Sequence, residues 1–376
     1  MFVVPKVKFG DVVKEVKNKI DRNNNPYEYY VAGDHMDSED LTIHRRGCFA
    51  TDDVGPAFIR EFRKGQVLYG SRRTYLKKVA VADFDGVTAN TTFVLETKDQ
   101  NVLLQELLPF IMLTDNFTKW SIGKSKGSTN PYILFSDLAD YEFDLPTIEE
   151  QRKLATVLWK MFRLKEGYVE LQHQSDQLVQ SQFIEMFGDC EAVPISTMGT
   201  VITGGTPSKK NASYYSSPDI PFYKPNDFSD NSIIELDVSS EFVSEKAREV
   251  ADIFPQGSVL VTCIGTIGKI GILTKEATCN QQINVIIPNQ AKCYSEFIAY
   301  AIWCNRQRLM SIANATTVTI INKSNFENFE IPCPSIELQK AFVALCQQFD
   351  KSKFAAKQAL ENLERTQKSL MNRYLG

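Results

Sequence analysis

The stretch DLPTIEEQRKLATVL, residues 144–158, reads as the start of a helix. Pro146 stops the helix from extending backwards, Thr147 can cap it, and Glu150 stands three residues on, the spacing of a capping box. A second stretch, EIPCPSIELQKAFVALC at 330–346, says nearly the same thing, with Ser335 as the cap and Glu337 in the first turn but no box. Aligning Pro146 with Pro334 separates the two by 188 residues in a chain of 376. A helix start written twice, half a chain apart, points to an internal duplication.

Other echoes fall near the same offset. Val4-Pro5 ahead of Gly10-Asp11-Val12 matches Val193-Pro194 ahead of Gly199-Thr200-Val201, and residues 30–35 stand opposite 223–228. FRKGQVL at 62–68 meets FPQGSVL at 254–260, and Gly188 corresponds to Gly376. The offsets drift between 188 and 193, as unequal loops produce on a retained scaffold.

Each repeat has two parts. The first carries short apolar, β-branched runs broken by Gly, Pro and Asn: VLYGSRR, KVAVADF and NTTFVLE in one copy, VLVTCIG, KIGILTK and INVIIPN in the other. Such runs predict mixed β structure with a few helices, the helices being expected over 103–116 and 295–312. The second part is a long helix, free of proline from 147 to 188 and again from 335 to 376. Its apolar seam is predicted at Val157, Met161, Leu164, Tyr168, Leu171 and Leu178, with Ser175 and Gln182 as polar members. In the second copy it runs Leu345, Phe349, Ala356, Leu363 and Leu370, with Ser352, Ala359 and Thr366 between them. Steps of four and three are heptad spacing. They predict that the two helices pair with each other as an antiparallel coiled coil; the alternative is two surface helices, each packed on its own domain. The expected fold class is α+β, internally duplicated: mixed α/β recognition domains at 1–145 and 189–333, separated by long helices at 146–188 and 334–376.

Composition excludes several classes. No run of about 18 apolar residues is present, so no membrane span is expected, and MFVVPKVKFGDVVKE lacks the pattern of a signal peptide. Eight cysteines without a C-x-x-C pair point to a reducing, cytoplasmic setting rather than a disulfide scaffold. Three histidines (His35, His44, His173) show no metal-site spacing, so no metal is expected. The phosphate loop G-x-x-x-x-G-K-[ST] is absent; GGTPSKK and GTIGKIG do not match it, and Gly123-Lys124-Ser125 is only a fragment. Asn25-Pro26-Tyr27 and Asn130-Pro131-Tyr132 are partial matches to an aminomethyltransferase motif. With no catalytic or cofactor-binding residues legible, the chain is expected to hold and recognise rather than to catalyse.

A net charge of −4 gives no hint of nucleic acid, but local patches decide such binding. Seven basic residues stand against Glu61 between 60 and 78, among them Arg72, Arg73, Lys77 and Lys78. Residues 119–130 are expected to form a flexible loop offering Lys124, Ser125, Lys126, Thr129 and Asn130. The second copy offers Thr206, Lys209, Lys210, Lys224, Thr266, Lys269, Asn280, Gln281, Thr316, Thr317 and Lys323. Lys, Arg, Ser and Thr contact phosphates, while Arg, Lys, Asn and Gln read base edges. Any one of these loops also suits a solvated turn; their recurrence in two copies favours a DNA-binding role.

The chain resembles the DNA-specificity (S) subunits of type I restriction–modification systems along its whole length. The I-P-x-P-x-x-E-Q element ahead of a long helix stands at 145–151 and 331–339, with one proline missing in the first copy and Ser335 replacing another in the second. The helix end SQFIEMFGD (181–189), GGTPSKKNASYY with DIPFYKPNDF (204–228), and the turn 265–269 are similar too. The resemblance implies two recognition domains, each reading half of a split double-stranded DNA site, with the helices as a spacer that docks two modification (methyltransferase) subunits. S-adenosylmethionine would then be bound by those subunits, and ATP and Mg by restriction subunits, with no cofactor on this chain. The alternative is an adaptor derived from a fused methylase-nuclease, acting mainly through coiled-coil contacts.

Overall fold

The computed structural model describes residues 5–230, 232–314 and 320–376. The chain forms two compact units, one of Met1–Val169 with Lys357–Gly376 and one of Glu170–Ala356.

In the first unit, the predicted β runs form an antiparallel sheet of β1 (Val13–Val16), β2 (Val67–Gly70), β3 (Val79–Val81) and β4 (Thr92–Thr97), in the order β1-β4-β2-β3. A second sheet has the order Gly47–Cys48, Tyr29–Val31, Gly86–Ala89, Phe58–Phe62, the middle pair being parallel. A short ribbon pairs Lys6–Lys8 with Glu142–Asp144.

The second unit repeats this plan. Its main sheet contains β5 (Gly199–Thr203), β6 (Ile234–Leu236), β7 (Val259–Thr262), β8 (Ile270–Leu273) and β9 (Ile283–Pro288), in the order β5-β9-β7-β8-β6. The first four places match the first unit strand for strand, and β6 is added parallel at the edge. The second sheet has three strands, in the order Glu241–Val243, Ile220–Tyr223, Thr278–Cys279, and keeps the parallel pair as its last two; the ribbon recurs as Ala192–Pro194 with Glu330–Pro332. The duplication seen in the sequence is thus a duplication of topology.

The helices expected over 103–116 and 295–312 are each broken. In the first unit a short helix, Leu108–Met112, ends before Thr114, whose hydroxyl accepts from the Phe117 amide at 3.3 Å and starts a new helix, Asp115–Lys124. A threonine cap competes with continuation of the preceding helix, because its backbone is extended. In the second unit the break falls at Asn305, between Ser295–Cys304 and Arg306–Asn314.

The two long helices are α1 (Ile148–Phe187) and α2 (Ile336–Tyr374). At the start of α1 the capping box is formed: the Thr147 amide donates to Glu150 Oε2 at 2.9 Å and the Glu150 amide to Thr147 Oγ1 at 3.4 Å. The carboxylate of Glu150 is held below its ordinary range, first by the Thr147 hydroxyl and then by the Thr147 amide. At the start of α2 Ser335 caps alone, accepting from the Leu338 amide at 3.4 Å.

In the first unit α1 and α2 lie side by side: Lys165 pairs with Glu364 at 2.8 Å, Gln367 donates to the Leu158 carbonyl at 3.5 Å, and Met371 and Leu375 share a core with Leu158 and Phe162. In the second unit Phe183 meets Phe342 at 5.5 Å between ring centroids, and Lys353 pairs with Asp176. Within each unit the numbers rise along one helix as they fall along the other. Phe183, Phe187, Phe297 and Phe342 form an aromatic cluster with centroid separations of 5.3 to 6.5 Å.

The predicted seam of α1 has the right spacing and the wrong phase. Val157, Leu164, Leu171 and Leu178 are 44, 55, 47 and 45% exposed, and Met161 and Tyr168 are half-buried. The inward residues sit one position later: Leu158, Phe162 and Lys165, then Val179 and Phe183. One residue is about 100° of rotation on a helix. The phase is set at the helix start, where Gln151, Ala155 and Leu158 are drawn into the domain core, and in the middle charged pairs rather than apolar side chains face α2. On α2 the predicted positions fare differently: Ala356 is buried, and Leu345, Phe349, Leu363 and Leu370 are half-buried.

All eight cysteines are free thiols, and burial pushes Cys263, Cys293 and Cys346 up to about 12, 11 and 12. No helix among the described residues is long and apolar enough to cross a membrane.

Candidate nucleic-acid interface

The β2–β3 turn gathers most of the predicted basic residues of the first unit. Its ends are closed by the Gly70 amide donating to the Lys78 carbonyl at 3.0 Å. The 125–134 loop fastens beside it: the Arg73 amide donates to the Pro131 carbonyl at 2.6 Å, the Ile133 amide to the Ser71 carbonyl at 2.9 Å, and the Thr74 and Ser125 hydroxyls lie 3.1 Å apart. Arg72 and Lys126 each bridge to Tyr132 through the backbone. Two segments some 50 residues apart in sequence therefore form one surface.

On that surface the predicted residues divide. Arg72 and Arg73 are exposed and form no ion pair among the described residues, and Thr129 and Asn130 are exposed as well. Lys77 is committed to Glu39, Lys78 donates to the Gly33 carbonyl, and Lys126 pairs with Asp137 at 3.0 Å. Lys124 ends a helix and lies over the Trp120 ring at 4.8 Å, so residues 119–124 are helical rather than part of a flexible loop. Ser125 is structural, its hydroxyl donating to the Ser121 carbonyl at 2.8 Å. Sequence reasoning missed Tyr75 and Tyr132, 52 and 41% exposed on this same surface; the basic pairs flanking Tyr75 were the available signal.

The second unit builds the equivalent edge. The β7–β8 turn closes through the Thr262 amide and the Lys269 carbonyl at 3.0 Å, and the Ile321 amide donates to the Cys263 carbonyl at 2.9 Å, the counterpart of the Ile133–Ser71 bond. The Thr206 hydroxyl donates to Gln281 Oε1 at 2.6 Å, joining 204–206 to 280–282. Gly204 is required there: a Cβ would lie 2.4 Å from the Asn280 carbonyl oxygen. Lys209, Lys210 and Thr266 are exposed, and Lys209 and Lys210 have no ion pair among the described residues.

Other predicted residues are used by the fold. Lys269 is only 11% exposed and pairs with Asp230 at 2.9 Å; Lys224 pairs with Glu241. Asn280 is buried, its amide donating to Gln282 Oε1 at 2.8 Å. Lys323 pairs with Glu327 one turn along its helix, at 3.4 Å. Cations already neutralised by a neighbouring carboxylate contribute little to phosphate binding, so the unpaired ones carry the charge of each surface. Thr316 and Thr317 lie outside the described residues.

Among the described residues, one grouping of histidine and carboxylates has the geometry of a metal site: Asp40, His44 and Glu166, with ligand atoms all within 4.8 Å of one another. His44 Nε2 is 3.1 Å from Asp40 Oδ2, and the Thr42 hydroxyl donates to Glu166. These bonds fasten the 37–46 loop to α1, which is the role the geometry supports.

Comparison with known proteins gives one answer. The family described as Type I restriction modification DNA specificity domain matches residues 6–170 and 188–365, once per repeat. The HindI specificity subunit of Haemophilus influenzae is 22% identical over 413 residues, covering 88% of this chain and 89% of that protein. The MjaIX specificity subunit of Methanocaldococcus jannaschii is 30% identical over 166 residues, 43% of this chain and 38% of its own length. In fold, the S subunit of a type I restriction–modification system from M. genitalium superposes with a TM-score of 0.59 at 13% identity, covering 98% of this chain and 95% of that one. A chain from a type I R-M system solved to explain its assembly and conformational transition gives 0.60 at 20% identity, covering 100% and 99%.

Proposed function

The chain belongs to the type I restriction modification DNA specificity family, and from that premise we propose that its two units each read one half of a bipartite double-stranded DNA site. One observation carries the reading: the same four strands occur twice in the same order, and each copy brings its exposed basic and polar loops to the same edge, the β2–β3 turn and its counterpart between β7 and β8. The two edges present different side chains, Arg72 and Arg73 in one and Lys209, Lys210 and Thr266 in the other, so the half-sites are unrelated in sequence.

On this reading residues 1–145 and 189–333 are the recognition domains, and 146–188 and 334–376 the spacer. The long helices pair antiparallel as a coiled coil that fixes the gap between half-sites and docks two modification subunits. Support comes from the opposed numbering of the α1 and α2 contacts inside each unit. The outward apolar stripe of Val157, Leu164, Leu171 and Leu178 supplies a surface for partners. Methyl transfer from S-adenosylmethionine, and any ATP- and Mg-dependent cleavage, then belong to modification and restriction subunits. A net charge of −4 leaves phosphate binding to local cations and to those partners.

Methylation mapping of genomic DNA from a host expressing the chain with its modification subunits tests the proposal. The expected result is one split motif with a fixed gap; methylation at an uninterrupted motif, or without sequence preference, overturns it.

A further inference from the structure

The two copies build the same turn from different residues, and the difference has a direction. In the second unit the turn after β7 passes through the left-handed region at Gly265 (φ +75°) and Gly268 (φ +79°), where glycine meets no Cβ penalty. In the first unit the matching positions are Arg73 (φ +50°) and Lys77 (φ +47°). An L-residue there is strained, and such strain persists where function or the surroundings demand it. The residue inside the turn differs as well. The first turn is one residue longer, four steps from Arg73 to Lys77 against three from Gly265 to Gly268, and it turns Tyr75 outward, 52% exposed, where the second turn holds Ile267 inward, 3% exposed. Both ends of the Tyr75 turn are held: the Arg73 amide by the Pro131 carbonyl at 2.6 Å, and Lys77 by Glu39, whose own amide donates to the Lys77 carbonyl at 3.2 Å. The phenol has no hydrogen-bond partner among the described residues.

We infer that Tyr75 is a specificity-determining residue, its ring presented to the bases of the half-site read by the first unit, with Arg73 on a flanking phosphate. The inference rests on the DNA-reading role proposed above. A turn fixed at both ends and carrying an outward aromatic ring loses little freedom on binding. In a duplex, apolar contact of the ring with a base edge, such as a thymine methyl in the major groove, supplies discrimination, while an adjacent arginine supplies charge. The second unit, with glycines and an inward Ile267, reads its half-site by other side chains.

The test uses the full chain assembled with its modification subunits and two probe duplexes derived from the mapped motif, each with one half-site scrambled. If the wild-type complex maps to no split motif, the DNA-reading role itself fails. If it does map, Tyr75→Ala is expected to reduce discrimination against one scrambled half-site by about ten- to a hundredfold. Discrimination at the other half-site and the salt slope stay unchanged. Tyr75→Phe keeps the ring and the discrimination. Arg73→Gly, which relieves the backbone, melts no lower than wild type and lowers the salt slope by about one. Unaltered discrimination in Tyr75→Ala, a loss in Tyr75→Phe as large as in Tyr75→Ala, or an unaltered salt slope in Arg73→Gly overturns the inference.

Discussion

Gln151 and Gln339 occupy the same place in the two units. Both are fully buried one turn into their long helices, and each side-chain amide donates to the carbonyl of the proline five residues earlier, at 2.9 Å. Each also bonds the chain around residue 102 or 292: Gln151 to the Val102 carbonyl and the Leu104 amide, Gln339 to the Lys292 carbonyl and the Tyr294 amide. A buried amide satisfied on every side locks the helix start onto its domain.

Replacing either glutamine with alanine strands main-chain groups in the core. Each variant is expected to lose roughly 2–4 kcal/mol of stability, measured by denaturant unfolding. The two losses should add, since the residues share no partner. A loss below about half a kcal/mol for either would show that water replaces the amide.

Asp115 accepts from the Asn372 side chain at 2.8 Å and pairs with Lys368 at 3.2 Å. Burial pushes its carboxyl up, but Lys368 and Asn372 together overcome this and hold it below the ordinary value of 3.8. A depressed acid stabilises above its unfolded value and stops doing so as pH falls through the folded one. Wild type should therefore melt above Asp115→Asn at neutral pH, with the gap closing below about pH 3.8. A gap that stays constant into acid would remove the ionic contribution.

Arg72→Ala with Arg73→Ala should weaken binding of the assembled complex to its DNA and lower the salt slope by about two. Lys269→Ala, at a position the sequence also nominated, should leave the salt slope alone and reduce stability, because the largely covered Lys269 is already paired with Asp230. Equal salt slopes for wild type and the double variant would place the arginines off the DNA.

Deleting one heptad from the middle of each long helix should shorten the methylated motif's gap by about three base pairs, from roughly 10 Å of helix. Mapping the motif again in the deletion strain reads this directly, and an unchanged gap would dissociate helix length from site spacing.

Thiol labelling offers a check that needs no partner. Burial raises the Cys263, Cys279, Cys293 and Cys346 thiols, so they should resist alkylation at pH 8 until the protein is unfolded. Mass spectrometry of native and denatured samples distinguishes them; rapid native labelling at any of the four would contradict the packing.

Topology was legible because duplication doubles every signal: the proline-capped helix starts, the F-x-x-G-x-V-L runs and the β segments each appear twice. The helix phase was not, because the four-three spacing is met by the outward Leu164 and Leu171 while the structure turns Phe162, Lys165 and Asp176 inward. Residue type separates cations from other side chains, but not free cations from spent ones. Lys77, Lys224 and Lys269 look like Arg72 in sequence, and only folding brings Glu39, Glu241 and Asp230 to them. Tyr75 was hidden for the same reason, since its exposure depends on how its turn is held at both ends.

The make-up of the first unit bears on how the protein is made. Residues 170–356 form a continuous stretch that can close on itself as soon as it leaves the ribosome. The first unit cannot: Met371 and Leu375 complete the core around Leu158 and Phe162, yet they are synthesised some 200 residues later. At about 5–20 residues per second, that is a wait of roughly ten to forty seconds with an apolar face uncovered. The half of the chain translated first is the half that finishes last.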